Sequence, residues 1–343
     1  MPCPASKLRG VVLPGGWTAD QELSGLSQTG GNFSYGYRVT HTDGRKAFLK
    51  ALDYSKAFRA DDPPAALQAL TAAYLFERSI LQTCKSRRMD RVVQSIDFGH
   101  VIVDHTDLGR VDYLILEIAD GDVRSFLSAS NKIELAWKLR ALHHIATGIH
   151  QLHAADIAHQ DVKPSNVLVF GATVSKIADM GSASLKGSVC PRDDRDFPGD
   201  PAYAPPELLY GYRDPDWTTR RFGCDAYLLG SMVVFMFSGL NATSLLFSKM
   251  AADHHHKVWK GTYGEVLPYL KDAFGLALES FAQCVPNEPF RTELRTLVSY
   301  LCEPDLSLRG HPQNRIGHTV RLSLERILSK LDLLARKAEC SVR

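Results

Sequence analysis

The chain has 343 residues, of which 45% are hydrophobic and 23% charged, as in an ordinary folded protein with a large core. The formal net charge of +2 gives no reason to expect nucleic acid or an acidic membrane surface as an obligatory partner. The seven cysteines form no C-x-x-C pair, and residues 1–10 lack the apolar core of a signal peptide. We therefore expect a cytoplasmic protein with reduced thiols and no membrane segment.

The first third of the sequence predicts mostly β structure. Prolines and glycines in residues 1–20 predict an irregular arm. After it, a helix with apolar residues on helical spacing is predicted from about residue 65 to 83. The predicted strands, recognised by β-branched and aromatic residues between turn signals, are 23–28, 33–40, 45–52, 92–98, 101–104 and 113–118.

Beyond residue 121 the apolar pattern becomes helical. The predicted helices in this part are 133–153, 227–238, 276–283 and 322–336. A β-rich region followed by a helical one predicts an α+β, bilobal fold. We place the irregular arm at 1–20, the small β-rich N-lobe at 21–118 and the larger helical C-lobe at 119–343, with the change of pattern near 117–122.

One short loop carries the clearest chemical signal. Between His159 and Asn166 the sequence is His-Gln-Asp-Val-Lys-Pro-Ser-Asn, and Asp179-Met180-Gly181 begins 18 residues after Asp161. Phosphoryl transfer needs this set of groups. Asp161 would accept a hydroxyl proton and Lys163 would neutralise phosphate charge, whereas Asn166 and Asp179 would bind a metal ion.

These two stretches resemble the catalytic loop and the Asp-Phe-Gly motif of eukaryotic-type (Hanks-type) serine/threonine protein kinases. Ala47-Phe48-Leu49-Lys50 is similar to the Val-Ala-Ile-Lys strand of that family. The resemblance implies that Lys50 contacts the α- and β-phosphates of ATP and that Glu77, on the next helix, is its partner. A lysine on a surface strand and a solvated helix glutamate are the alternatives.

A glycine-containing stretch resembles the loop that covers the phosphates in this family. In Thr29-Gly30-Gly31-Asn32-Phe33-Ser34, Gly31 takes the second glycine position, Thr29 replaces the first and Phe33 matches the expected aromatic residue. These residues would cover the nucleotide. A plain hairpin loop explains the stretch almost as well.

The segment Leu114 to Ala119 resembles the family's link between the lobes. Leu116 would lie beside the adenine, and the backbone of Glu117 and Ala119 would bond its edge. Asp122 would bind the ribose hydroxyls. An apolar strand followed by a turn is the alternative.

Three further matches imply structural roles. The stretch Gly199 to Glu207 resembles the family's Gly-Thr-x-x-Tyr-x-Ala-Pro-Glu, in which the glutamate binds a buried arginine. Arg309 is the arginine we expect for Glu207. Asp225 is expected to cap a helix and to hold the backbone of the catalytic loop.

Two positions depart from the family pattern. Gln160 replaces an arginine that pairs with an activation-loop phosphate, and a neutral glutamine cannot supply that positive charge. We therefore expect an activity that phosphatase treatment does not abolish. Asp200 replaces a threonine, and its carboxylate would repel Asp161 unless Lys163 offsets the charge or the side chain points away.

The resemblance implies a kinase that uses ATP and Mg²⁺ to phosphorylate serine or threonine in protein substrates, including itself. Lys163-Pro164 after Asp161 resembles serine/threonine kinases rather than tyrosine kinases. A pseudokinase that binds nucleotide or acts as a scaffold, and a small-molecule kinase of the aminoglycoside-phosphotransferase type, are the alternatives. The sequence does not indicate an oligomeric state.

Overall fold

The computed structural model describes residues 3–23, 34–103, 109–129, 134–193, 195, 197–316 and 320–341. The chain divides into two compact units. The N-terminal unit comprises Met1–Asp122, Leu168–Ala172 and Lys176–Gly181, and the C-terminal unit comprises Val123–Val167, Thr173–Ser175 and Ser182–Arg343. None of the helices in the described ranges is both long enough and apolar enough to cross a membrane.

The N-terminal unit is built on a six-stranded sheet in which all neighbouring strands are antiparallel. Its strands in chain order are β1 (Val12–Leu13), β2 (Trp17–Glu22), β3 (Ser34–His41), β4 (Lys46–Leu52), β5 (Ser95–Ile102) and β6 (Arg110–Leu116). Their order across the sheet is β1-β2-β3-β4-β6-β5. The short strand β7 (Gly121–Asp122) pairs with β9 (Val167–Phe170). The β-rich first part of the α+β prediction is thus confirmed.

Residues 3–20 differ from the irregular arm that we predicted for 1–20. They form a 3-10 turn, Pro4–Lys7, followed by β1 and β2. Leu8 and Trp17 are buried in the same core cluster as the inner residues of β3 and β4. Gly15 and Gly16 both have φ of +84°, so the glycines make the turn between two strands instead of preventing strands.

The helix α1 (Pro63–Ser86) confirms the predicted helix and extends it at both ends. Its first turn is stabilised by Asp62, whose side chain accepts a hydrogen bond from the backbone N–H of Ala65 at 3.1 Å. Prolines at the first two positions fit there because those N–H groups have no partner within a helix. The strand predicted at 23–28 lies almost entirely outside the described residues.

The C-terminal unit is mainly helical, as predicted. Its helices are α2 (Val123–Ala129), α3 (Leu135–His153), α4 (Pro206–Leu209), α5 (Trp217–Ser238), α6 (Ala242–Phe247), α7 (Tyr263–Gln283), α8 (Phe290–Leu301) and α9 (Glu325–Ser341). The buried α5 contacts α3, α7 and α8, and α9 packs along α3. Short strands β8 (Ile157–Ala158) and β11 (Ser184–Leu185) pair antiparallel; β10 (Val174–Ile177) lies between them in sequence.

Two of these helices start well before the predicted positions. Helix α5 starts at Trp217 rather than 227, after the N-cap Asp216, and α7 starts at Tyr263 rather than 276. In α7 the side chain of Thr262 and that of Glu265 form a reciprocal capping box. This cap and the buried face of the first turns outweigh Pro268, which reads as a helix breaker in the sequence.

Candidate active site

In the N-terminal unit, Lys50 is held between two carboxylates. Its Nζ lies 2.8 Å and 3.0 Å from the two oxygens of Glu77 and 3.3 Å from Oδ1 of Asp179. The Lys50 side chain is only 14% exposed. Burial alone would lower the pKa of Lys50, but Asp179 and Glu77 outweigh it and raise that pKa. The ammonium is therefore charged at neutral pH, as phosphate binding requires.

The local folds explain why these three side chains meet. Leu49 on β4 is buried in the core, and Lys50 therefore points to the opposite face of the sheet. Glu77 lies on the buried face of α1, one turn from Tyr74 and Leu81. Asp179 has φ of +65°, a conformation that non-glycine residues rarely adopt. The predicted Lys50–Glu77 ion pair is thus present, and Glu77 is not a solvated helix residue.

The residues expected around adenine lie at the end of β6. Leu116 is the last residue of that strand and is 9% exposed. The N–H of Glu117 donates to the Gln94 carbonyl, and its carboxylate lies 2.7 Å and 2.6 Å from Nζ of Lys176. Sequence reasoning missed Lys176, since no motif marks this pair, 59 positions apart.

Of the other residues expected to contact the nucleotide, two are described by the structure and three are not. Ala119 lies in the stretch without regular secondary structure that follows β6 and is partly buried. Asp122 is buried and belongs to β7, opposite Leu168. Thr29, Gly31 and Phe33 of the predicted phosphate-covering loop lie outside the described residues.

In the C-terminal unit, Asp161 has hydrogen bonds at both carboxylate oxygens. Its Oδ2 accepts from Nδ2 of Asn166 at 2.9 Å and lies 3.3 Å from Nζ of Lys163. Its Oδ1 accepts from the backbone N–H of Asp200 at 2.9 Å. Burial opposes the charge of Lys163, yet Asp161 and Asp200 outweigh it and raise the pKa of Lys163. The Asp161 carboxylate thus lies beside a lysine that is charged at neutral pH.

The contacts of Asp200 resolve the question raised by its carboxylate. Its Oδ2 lies 3.3 Å from Nζ of Lys163, and its Oδ1 accepts from the N–H of Ala202 at 3.0 Å. Lys163 therefore bridges the carboxylates of Asp161 and Asp200. The ammonium offsets the repulsion that the threonine-to-aspartate replacement would otherwise cause.

Asp225 anchors the backbone of the catalytic loop, as predicted. This fully buried carboxylate accepts from the N–H groups of His159 and Gln160, both at 2.8 Å. Nε2 of His153 lies 2.9 Å from it. The predicted helix-capping role of Asp225 is wrong, because α5 begins eight residues earlier and Asp225 lies inside it.

A second buried charge pair is also confirmed. Nη1 and Nη2 of Arg309 donate to the two oxygens of Glu207 at 2.6 Å and 2.7 Å. The arginine side chain is 0% exposed and the glutamate 2%. This two-pronged geometry suits guanidinium and carboxylate, and it links two segments that are 102 residues apart.

Gly199 lies so close to the catalytic loop that a side chain cannot be added without movement. A Cβ at this position would lie 2.3 Å from the Gln160 carbonyl oxygen and 2.9 Å from Oδ1 of Asp161. We expect Gly199→Ala to lower kcat by on the order of 10- to 100-fold, since the loop must shift by a large fraction of an ångström. Steady-state kinetics measure this.

The control for this substitution is Gly275→Ala. Gly275 lies inside α7 and a Cβ there would meet no atom within 4 Å. Alanine should slightly stabilise the helix and leave kcat unchanged. Equal kcat values for the two variants would show that the approach of Gly199 to the loop is unimportant.

The donor atoms present suit a magnesium ion. Oδ1 of Asn166 is buried and has no hydrogen-bond partner in the described part of the chain, so it is available as a ligand. Asp179 supplies a carboxylate in the N-terminal unit. Amide and carboxylate oxygens are the ligands that Mg²⁺ prefers, usually one or two from the protein together with phosphates.

Three arrangements in the fold are those expected for the protein kinase family. They are the Lys50–Glu77 pair, Asp161 with Lys163 and Asn166, and the buried Glu207–Arg309 pair. Residues 29–319 match the model of the protein kinase domain. The chain belongs to this family, and its α+β fold is the protein kinase fold.

Among curated proteins, the chain is similar to three kinases in particular. CBL-interacting protein kinase 4 of Oryza sativa subsp. japonica is 38% identical over 103 residues, 28% of this chain and 22% of that protein. The dual serine/threonine and tyrosine protein kinase of Mus musculus is 27% identical over 191 residues, which are 54% of this chain and 18% of that protein. Cyclin-dependent kinase 9 of Danio rerio is 31% identical over 147 residues, which are 41% of this chain and 38% of that protein. The chain thus spans well under half the length of these relatives.

Proposed function

We propose that the chain transfers the γ-phosphoryl group of ATP, in the presence of Mg²⁺, to serine or threonine hydroxyls of protein substrates, its own included. The observation that carries the proposal is the Asp161 carboxylate, held in place by Asn166 and beside the charged Lys163. A fixed base next to a cation suits a hydroxyl that must lose a proton while it attacks a phosphoryl group.

The residues divide the work of this reaction. Lys50, held by Glu77, binds the α- and β-phosphates. The substrate hydroxyl oxygen attacks the γ-phosphorus, its proton passes to Asp161, and the bond to the departing ADP breaks. Lys163 stabilises the negative charge on the transferred group. Bound through Asn166 and Asp179, Mg²⁺ would neutralise charge on the phosphate oxygens.

Serine and threonine are the acceptors we favour because Lys163 follows Asp161 by two residues, as in serine/threonine kinases. The related sequences include a protein called serine/threonine-protein kinase DCLK1, 27% identical over 142 residues. We place the activity in the cytoplasm, since all seven cysteines, which fall in the described ranges, are free thiols.

The decisive experiment incubates the purified chain with γ-labelled ATP, Mg²⁺ and casein as a generic protein substrate. We expect label on serine or threonine of the chain or of casein, identified by phosphoamino-acid analysis. Asp179→Ala should abolish it, because it removes a metal ligand and a partner of Lys50. Asp272→Ala, which removes an exposed carboxylate on α7, should leave the labelling unchanged.

Two other results would favour the alternatives. ATP binding by the wild-type chain without any transfer would point to a nucleotide-binding or scaffolding protein. Transfer to an aminoglycoside but not to protein would point to a small-molecule kinase.

A further inference from the structure

A buried arginine outside the motifs contacts both the catalytic loop and the stretch after Gly181. Arg221 lies on α5 and is 5% exposed. Its Nη2 donates to Oδ1 of Asp193 at 2.6 Å, and its Nη1 donates to Oε1 of Gln160 at 3.2 Å. Its Nε is buried without a hydrogen-bond partner in the described ranges. Among the described residues, Asp193 is the carboxylate that forms an ion pair with Arg221.

Residues 182–193 and 197–200 are here called the activation segment. Asp193 also accepts hydrogen bonds from other residues of this segment. Its Oδ1 accepts from the hydroxyl of Ser184 at 3.1 Å, and its Oδ2 accepts from the N–H of Cys190 at 3.0 Å. With Arg221, this single carboxylate receives three kinds of donor. A charged acceptor with several donors is among the stronger polar anchors in a protein.

A second arginine, Arg192, connects residues near the two ends of the activation segment by hydrogen bonds. Nη1 of Arg192 donates to the hydroxyl of Ser182 at 2.6 Å and to the carbonyl of Pro198 at 3.3 Å. The Ser182 hydroxyl also donates to Pro198 at 3.0 Å. Hydrogen bonds among Arg192, Ser182 and Pro198 thus connect the two ends of the segment.

The catalytic loop is fixed to the same arginine. The side-chain amide of Gln160 donates to the carbonyl of Arg221 at 2.9 Å and to Oδ1 of Asp225 at 3.3 Å. Gln160 has φ of +66°, a conformation that persists only when surrounding contacts hold it. Asp161 is the next residue. A substitution at Arg221 that moves Gln160 would therefore also move Asp161, the next residue in the chain.

We propose that Arg221 and Asp193 are positioning residues that hold the activation segment and the Gln160–Asp161 peptide in their catalytic arrangement without phosphorylation. Asp193 supplies the negative charge, and Arg221 on α5 supplies the positive charge. The neutral Gln160 side chain is hydrogen-bonded to Arg221 and to Asp225, both on α5. The kinetic part of this inference rests on the proposed function, and the ordering of the segment does not.

The test compares Asp193→Asn with Asp193→Glu. Asparagine has the same shape but loses the charge, so we expect kcat to fall on the order of 10- to 100-fold, with a smaller change in the KM for ATP. Glutamate keeps the charge and should retain more of the activity. Arg221→Lys, which also keeps its charge, should lie between the asparagine variant and the wild-type chain.

Hydrogen–deuterium exchange tests the ordering directly. Peptides covering 182–193 should exchange faster in Asp193→Asn, whereas peptides from α7 should be unchanged, which shows that the variant is folded. Asp272→Asn, an exposed aspartate on α7, is the matched control and should resemble wild type in both measurements. Phosphatase treatment should leave the wild-type kcat unchanged.

The inference is overturned if Asp193→Asn matches the wild-type chain in both kcat and exchange. It is also overturned if phosphatase abolishes the wild-type activity. Should the wild-type chain transfer no phosphate at all, the proposed function fails, and the exchange comparison decides the anchoring role independently.

Discussion

Asp161→Asn is expected to lower kcat by about 10²–10⁴-fold, the usual contribution of a general base. The amide has the shape of the carboxylate but cannot accept the hydroxyl proton. Its NH₂ group would also face the donors of Asn166 and Lys163, which now bond to a carboxylate oxygen. ATP affinity should change little, because Lys50 and Glu77 remain. Steady-state kinetics measure kcat, and calorimetric titration with ATP measures the affinity.

Asp156→Asn is the matched control for this prediction. Asp156 lies five residues before Asp161, is exposed, and has φ of +56°, a conformation that asparagine tolerates well. This variant should keep the wild-type kcat. If Asp161→Asn retained most of its activity, another group would have to accept the proton, and the proposed role of Asp161 would be wrong.

The charged pairs that were predictable are those carried by motifs. Lys50 and Glu77 follow from an apolar strand and a helix, and Glu207 and Arg309 from two short stretches with fixed residue types. Asp193 and Arg221 belong to no such pattern. They pair across 28 residues, between an irregular segment and a helix start that the sequence pattern did not reveal. Only the folded chain shows that Arg221 lies beside both Asp193 and the neutral Gln160.

The fold shows a similar division. Periodicity predicted α1 and the main strands because their buried faces repeat every few residues. It failed for β1 and β2, where Gly15 and Gly16 read as breakers although they form a turn. It also failed for the start of α5, because residues 217–221 include polar side chains whose burial depends on distant partners such as Asp193.

Glu207→Gln is expected to lower the free energy of unfolding by about 3–5 kcal/mol, the usual cost of removing one partner from a buried ion pair. Arg309 would keep its charge, since a guanidinium does not lose its proton in a protein, and this side chain, 0% exposed in the fold, would have lost the carboxylate that compensates it. Bonds from Arg309 to the carbonyls of Glu303 and Gly223 would remain but carry no opposite charge. Urea denaturation, followed by a probe in the C-terminal unit, measures the loss.

Two further variants separate a missing charge from a missing side chain. Glu279→Gln removes an exposed partner of Arg295 and should cost no more than about 1 kcal/mol, as exposed ion pairs do. Adding Arg309→Met to Glu207→Gln removes the uncompensated charge and should recover part of the stability, since apolar replacements of buried pairs are often neutral. A double variant less stable than Glu207→Gln alone would mean that the carbonyl contacts of Arg309 matter more than its charge pairing.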